Sequence, residues 1–295
     1  MRLAGVSGLW QNLGALLLLA KPGIVMAELA AAMTGMLLAR PMMPSWATIF
    51  WLGIVVVLAA SGAAMANNLI EAASDRLMPR LAARCLALTM AGEQVVGVVS
   101  TVFMALSLIL AATFLNQRVT LFLGVAIASY LWLYTVRQKR NSPLAFLVGG
   151  IPGALPPLIG AVAVAPLSPA PLLLSLVIYC WQVPHFLFIA LQYQSQYERA
   201  GLPVFPLVYG FQPTRYLILA SGAILLLMPI AFRLFAATSM VGIAALVIAG
   251  GLFIVTSFRS LQQPRRYRQG CFNSMFYLAL LLLVLIVDSA LHPWD

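Results

Sequence analysis

The 295-residue chain carries only seven carboxylates, Glu28, Glu71, Asp75, Glu93, Glu198, Asp288 and Asp295, and among them only Glu71 and Asp75 stand close together. Four residues apart, they share one face of any helix that runs through them, with Asn67 one turn before Glu71 and Asn68 beside it. Hard oxygen donors in that pattern suit Mg2+, which takes one or two carboxylates and completes its shell with water and substrate phosphates. Arg76, Arg80 and Arg84 follow at helical spacing, and guanidinium groups grip phosphate oxygens in pairs. Asn67, Asn68, Glu71 and Asp75, with the two carboxylates as metal ligands, are therefore a candidate cradle for a diphosphate. A solvated loop of mixed charge would show the same residues.

Further along, Arg137, Lys139 and Arg140 follow Tyr134 at the end of an apolar run and could close over the same phosphates, although basic residues beside a membrane are expected on topological grounds alone. The stretch Gly149-Gly150-Ile151-Pro152-Gly153-Ala154, followed by Pro156-Pro157 and Gly160, holds more helix breakers than a lipid-facing helix needs. Such backbone must be buried or line a cavity, and a tight helix crossing would also account for it. His185, in Trp181-Gln182-Val183-Pro184-His185-Phe186, is the one histidine inside an apolar run. It could ligate haem iron, carry a proton or hydrogen-bond a backbone carbonyl. A second polar stretch, Gln192 to Arg199 with Tyr197, then Ala200 to Pro206, sits in the second half of the chain much as residues 67–84 sit in the first.

The elements that must position these residues follow from composition. Apolar residues make up 63% of the chain and charged residues 8%, against roughly 25% charged in a soluble domain, and the mean hydropathy is +1.00. Continuous apolar runs rich in Ala, Leu, Val and Gly exclude a soluble globule and a membrane β-barrel. The expectation is an all-α, polytopic membrane protein, one domain over 1–295 with a cytoplasmic or interfacial segment at 1–22. About nine spans are expected near 24–40, 46–66, 94–114, 119–135, 145–165, 170–191, 216–235, 239–257 and 273–291. Lys and Arg then alternate cleanly between the two sides, with only Arg40, Arg118 and Arg233 opposite the rest. That predicts a cytoplasmic N-terminus, an outside C-terminus, and a net charge of +10 that belongs to cytoplasmic loops rather than to a nucleic-acid surface. Cys85, Cys180 and Cys271 are too scattered for a disulfide framework or thiolate metal site. Glu28 and Asp288 fall in or near apolar spans, facing either the cavity or each other.

Several segments in order resemble the intramembrane prenyltransferases of the UbiA superfamily, and within it the branch that prenylates haem. They are Lys21-Pro22, Asn67-Asn68-Leu69-Ile70-Glu71 with Asp75-Arg76 and Met78, Tyr134-Thr135 with Lys139-Arg140, the Gly/Pro stretch from Gly149 to Gly160, Trp181-Gln182 with Pro184-His185-Phe186, and Tyr197 with Ala200-Gly201-Leu202-Pro203. The resemblance implies a helical bundle around a central cavity in the plasma (inner) membrane, capped by two polar loops. It implies farnesyl diphosphate bound through Mg2+, protohaem IX as acceptor, and transfer of farnesyl to a haem vinyl group followed by addition of water, giving haem O. Asn67, Asn68, Glu71 and Asp75 would act in catalysis, Arg76, Arg80, Arg84, Tyr134, Arg137, Lys139, Arg140 and Tyr197 would bind substrate, and His185 would contact haem. Membrane lipid and a haem A synthase or oxidase-assembly protein are the implied partners.

The chain departs from the family pattern at its polar loops. Ala72 and Ala73 stand where an Arg and a middle Asp are expected, Leu81, Ala82 and Ala83 thin the basic stretch, Cys85 replaces a proline, and Gln192, Gln194, Ser195 and Gln196 replace lysines and an aspartate. Two further readings stay open at this level: a prenyltransferase of the same fold acting on a quinone precursor or chlorin, and a non-catalytic relative that binds haem or prenyl lipid.

Overall fold

The computed structural model describes residues 12–39, 44–236 and 238–291. Among them the only regular secondary structure is helical, as the apolar runs require: a backbone in hydrocarbon must satisfy its own hydrogen bonds. In chain order the helices are α1 (Asn12–Leu19), α2 (Pro22–Leu38), α3 (Trp46–Asp75), α4 (Ala82–Ala91), α5 (Glu93–Phe114), α6 (Gln117–Ala128), α7 (Ala145–Ala154), α8 (Pro156–Val162), α9 (Pro169–Gln192), α10 (Gln194–Arg199), α11 (Phe205–Tyr209), α12 (Phe211–Phe235), α13 (Met240–Ser260) and α14 (Tyr267–Leu291). Among the described residues eight segments are long and apolar enough to cross a membrane, or nine if α1 and α2, bent by 51° at their junction, are counted as one span.

Short polar side chains mark several starts. Ser45, Asn116 and Ser239 accept the backbone N–H of Thr48, Val119 and Gly242 ahead of α3, α6 and α13, satisfying donors that a helix start leaves open. The helices form a ring in the order α2, α3, α5, α6, α7, α9, α12, α13, α14, which closes because α14 returns to α2, while α8 packs inside against α2. One apolar core joins α2, α3, α5, α6 and α8 around Met36, Leu52, Val55 and Ile159. A second joins α2, α9, α12, α13 and α14 around Leu174, Phe232, Phe253 and Leu281. Leu121, Leu227, Ile248 and Leu283 stay exposed on the outside, where lipid is their solvent.

Ahead of α2, α1 packs its Ala15 and Leu19 on Met65, Leu88 and Ala91. The second span does not stop at 66 but continues unbroken to Asp75. At 1.5 Å per residue its 30 residues reach about 45 Å, longer than the roughly 30 Å hydrocarbon layer, so its final turns carry polar residues out of the apolar zone. The fifth span, Ala145–Val162, is interrupted at Leu155 between α7 and α8, where Pro156 and Pro157 supply no N–H donors. The Ala154 carbonyl at that break takes the Ser175 hydroxyl instead, at 2.6 Å.

The break lets α8 approach α2 backbone to backbone. A Cβ on Gly160 would lie 1.8 Å from the Ala32 carbonyl oxygen, and one on Gly35 would lie 2.1 Å from that of Pro157. Small residues permit such crossings, which association in lipid depends on. Gly160→Ala should therefore lower stability by about 1–3 kcal/mol, the usual cost of overpacking. Gly124→Ala, a helical position with open space beside it, should be neutral or slightly stabilising; melting of the two variants in detergent measures the difference.

Candidate active site

The polar end of α3 faces a cavity of about 250 Å³. Because Asn67, Glu71 and Asp75 recur every four residues, one helix face presents all three to it, each buried. Lys139 reaches them from the far side, its Nζ 2.5 Å from Glu71 Oε1. Burial alone would pull this ammonium down, but Tyr134, Glu71 and the hydrogen bond to Glu71 outweigh it, so Lys139 is held above its ordinary range and stays charged.

Lys139 arrives there through an irregular helix. From Ser129 to Gln138 the continuation of α6 is π-helical, with the Lys139 N–H bonded to the Tyr134 carbonyl five residues back. This wider turn, a form often found at functional sites, keeps Tyr130, Tyr134 and Lys139 all on the cavity. Gly149 makes room for it: a Cβ there would sit 2.8 Å from the Tyr134 ring.

Lys21 completes the polar wall. It occupies the corner between α1 and α2 at φ 55°, a left-handed conformation that costs a non-glycine residue about 1–2 kcal/mol. The corner sends its ammonium inward to Asn67 Oδ1 at 2.5 Å and towards the Tyr130 hydroxyl at 3.4 Å. Asn67 in turn donates to Thr135 at 3.1 Å, so α1, α2, α3 and the π-helix are tied at one level. Asn68 lies on the adjoining face, donating to the Leu19 and Ala64 carbonyls; it holds α1 rather than lining the cavity.

The arginines divide. Arg80 and Arg84 line the cavity. Arg80 donates to the Tyr197 hydroxyl at 2.8 Å and lies over the Tyr193 ring, while Met78 and Leu81 pack on Leu202, so the two polar loops meet as a lid over the cavity. Arg76 points away and pairs with Glu93 at 3.6 Å, both exposed. Arg137 lies over the Trp132 ring and Arg140 reaches the Ile70 carbonyl from an exposed position. These three do not join the cluster: Arg76 and Arg140 lie in the turns that follow α3 and the π-helix, and Arg137 points to Trp132. His185 is also outside the cavity lining: its Nδ1 is 2.7 Å from Ser274 Oγ, and its ring stacks on Trp181, whose Nε1 donates to the Ser274 carbonyl. The neighbouring phase of α9 presents Gln182 and Phe186 instead. Glu28 lines the cavity and Asp288 accepts from Ser239, so these two acids are not partners. Lys21, Tyr130, Gln182 and Phe186 are cavity residues that sequence reasoning did not assign to the site. Lys21 carried a signal, a lysine before a proline in a strongly apolar stretch.

The donor set fits a hard cation facing a diphosphate. Two carboxylates stand on one helix face, the Asn67 amide oxygen beside them being taken by Lys21, and Asp75 Oδ1 is buried with no hydrogen-bond partner among the described residues. Such an oxygen requires a cation or a donor from outside the protein. Below it the walls turn apolar, with Val56, Ala59, Ala60, Leu123, Ile127 and Ile159. One compartment thus offers a charged head and an apolar channel, the shape of a prenyl diphosphate.

Residues 29–281 match the UbiA prenyltransferase family. Among curated proteins, the chain is 38% identical over 239 residues to the protoheme IX farnesyltransferase of Geotalea uraniireducens, covering 81% of this chain and 92% of that protein. It is 34% identical to the protein of the same name from Alkalilimnicola ehrlichii, covering 97% and 96%. Among solved structures, it superposes on a digeranylgeranylglyceryl phosphate synthase with a TM-score of 0.77 at 16% identity, covering 94% and 98%. A UbiA homologue from Archaeoglobus fulgidus bound to GPP and Mg2+ gives a TM-score of 0.65 at 14% identity, covering 92% and 99%; both show a common fold.

If the cluster is an anion seat, Lys139→Gln should weaken binding of inorganic diphosphate about tenfold to a hundredfold, the worth of a charged hydrogen bond. Arg137→Gln should change it by no more than about twofold. Calorimetry on the two purified variants makes the comparison.

Proposed function

Because the chain belongs to the UbiA prenyltransferase family, we propose that it transfers the farnesyl group of farnesyl diphosphate to a vinyl group of protohaem IX, giving haem O. The observation that carries this reading is the single compartment in which Glu71, Asp75, Lys139, Lys21, Arg80 and Arg84 stand at one end and the apolar walls of α3, α6 and α8 at the other. The relatives described above supply the choice of acceptor.

Glu71 and Asp75, with Asn67 beside them, would hold Mg2+, whose charge stabilises the departing diphosphate. Lys139, Arg80, Arg84 and Lys21 aim fixed cations at the same group in a site shielded from bulk water, where preorganised charge is most effective. Arg80 is braced by Tyr197, so the lid arrives with its guanidinium already directed. As the bond from C1 to the diphosphate breaks, the allylic cation lies among Tyr130, Tyr134 and Phe186, whose ring faces attract positive charge. The alanine-rich wall of α3 and the Leu123 and Ile127 side chains keep water from that cation before the acceptor reaches it. His185 is a positioning residue in this account: through Trp181 and Ser274 it fixes the rotation of α9 and so aims Gln182 and Phe186. The missing carboxylate at Ala73 leaves one close carboxylate pair, enough for one metal ion.

The excess of Lys and Arg on the Asp75 side supports an inner-membrane orientation with that side and the N-terminus in the cytoplasm. The test is to incubate purified protein with protohaem, farnesyl diphosphate and Mg2+ and analyse the haem by mass spectrometry. Haem O is expected from the intact protein, none after chelation of divalent metal, and about a hundredfold to a thousandfold less from the Glu71→Gln, Asp75→Asn double variant. Haem bound without any prenylated product would contradict the reading and favour a binding protein.

A further inference from the structure

Glu28 is the one carboxylate of the cavity that binding the diphosphate leaves unused. It lies on α2 two turns beyond Lys21, about 10 Å further from the cradle, and lines the cavity together with Gly149, Pro152, Gly153 and Pro156. An acid inside a membrane span is costly and persists where it serves a polar pathway or reaction. Three other polar groups of the cavity wall are already engaged within the protein. Lys21 donates to Asn67 and Asn67 to Thr135, while Gln182 donates to the Gly150 and Ile178 carbonyls. Glu28 is half-buried and has no hydrogen bond or ion pair among the described residues, so its carboxylate is free to take a water of the cavity as its donor.

The reaction proposed above consumes one water, and the inference rests on that reading. We infer that Glu28 holds this water and takes its proton. The vinyl β-carbon bonds to farnesyl C1 as the C1–O bond breaks, and the electron pair of that bond leaves on the diphosphate. Positive charge then stands on the vinyl α-carbon, beside the macrocycle. The water oxygen bonds to that carbon, one of its protons passes to the Glu28 carboxylate, and the proton is shed to solvent when the products leave. Without a base that orders the water, the same cation discharges by losing a proton from the adjacent carbon, giving an alkene lighter than haem O by one water. Glu71 and Asp75 are poor candidates for this step, since one is ion-paired with Lys139 and both face the diphosphate end.

The test is the ratio of hydrated to dehydrated farnesyl haem, read by mass spectrometry from wild type, Glu28→Gln and Glu28→Asp in heavy-oxygen water. A ratio within each sample does not depend on how much variant folds. The ratio should fall at least about tenfold in Glu28→Gln, within the range of general-base contributions, and recover in part in Glu28→Asp, with the heavy label in the hydroxyl group throughout. An unchanged ratio in Glu28→Gln would overturn the assignment and leave the departing diphosphate as the base. So would a folded Glu28→Gln protein that yields neither product, since Glu28 would then serve the transfer itself. Failure of wild type to prenylate haem at all would instead defeat the functional reading on which the inference stands.

Discussion

A pair of carboxylates can be kept inside a bundle this apolar only if positive charge converges on it. The contact between Lys139 and Glu71 is where that condition is met, and much of the surrounding architecture serves to make it. Lys139 must come from a neighbouring element, so the π-helical turn at Ser129–Gln138 widens the helix that carries it. That turn needs space, which Gly149 leaves beside Tyr134. On the other flank, Lys21 takes a left-handed corner to reach Asn67. Removing one member of such a pair leaves an uncompensated charge, which costs far more than the net worth of the pair itself. The electrostatics therefore constrain the packing as much as the packing positions the charges.

The same economy governs the Gly and Pro residues of the fifth span. Prolines end α7 and start α8, the freed carbonyl at Ala154 is taken by Ser175, and Gly160 then sits against the backbone of α2. Gly35 on α2 matches it, so the two backbones meet and α2 forms part of the cavity wall. The lid over the cavity is held by one polar contact, Arg80 to Tyr197, and by the small apolar cluster of Met78, Leu81 and Leu202.

Much of this was legible in the sequence, for reasons that are themselves physical. Hydropathy gives the helical class and the number of spans directly, because a membrane admits few alternatives. The face shared by Asn67, Glu71 and Asp75 follows from a period near four, provided the helix continues, which α3 does. What the sequence leaves open is phase and irregularity. Arg76, Arg137 and Arg140 belong to the same charge clusters as Arg80 and Lys139, yet they pair elsewhere, with Glu93, the Trp132 ring and the Ile70 carbonyl. Trp181 and His185 share one side of α9 while Gln182 and Phe186 share another, and only tertiary packing decides which side meets the cavity. The corner at Lys21 and the π-helical turn depend on neighbours distant in sequence, Asn67 for the first and Gly149 for the second, so no local pattern announces them.

The central claim is that Glu71 and Asp75, on the last turns of α3, hold the divalent cation that meets the diphosphate. The most direct measurement is a structure of the protein with Mn2+ and a non-cleavable thiolo analogue of farnesyl diphosphate, with the metal located by anomalous scattering. One Mn2+ peak is expected between the Glu71 and Asp75 carboxylates, with the diphosphate beside Lys139 and Arg80 and the prenyl chain along α3. A metal peak elsewhere, or a diphosphate held with no metal at these two residues, would contradict it.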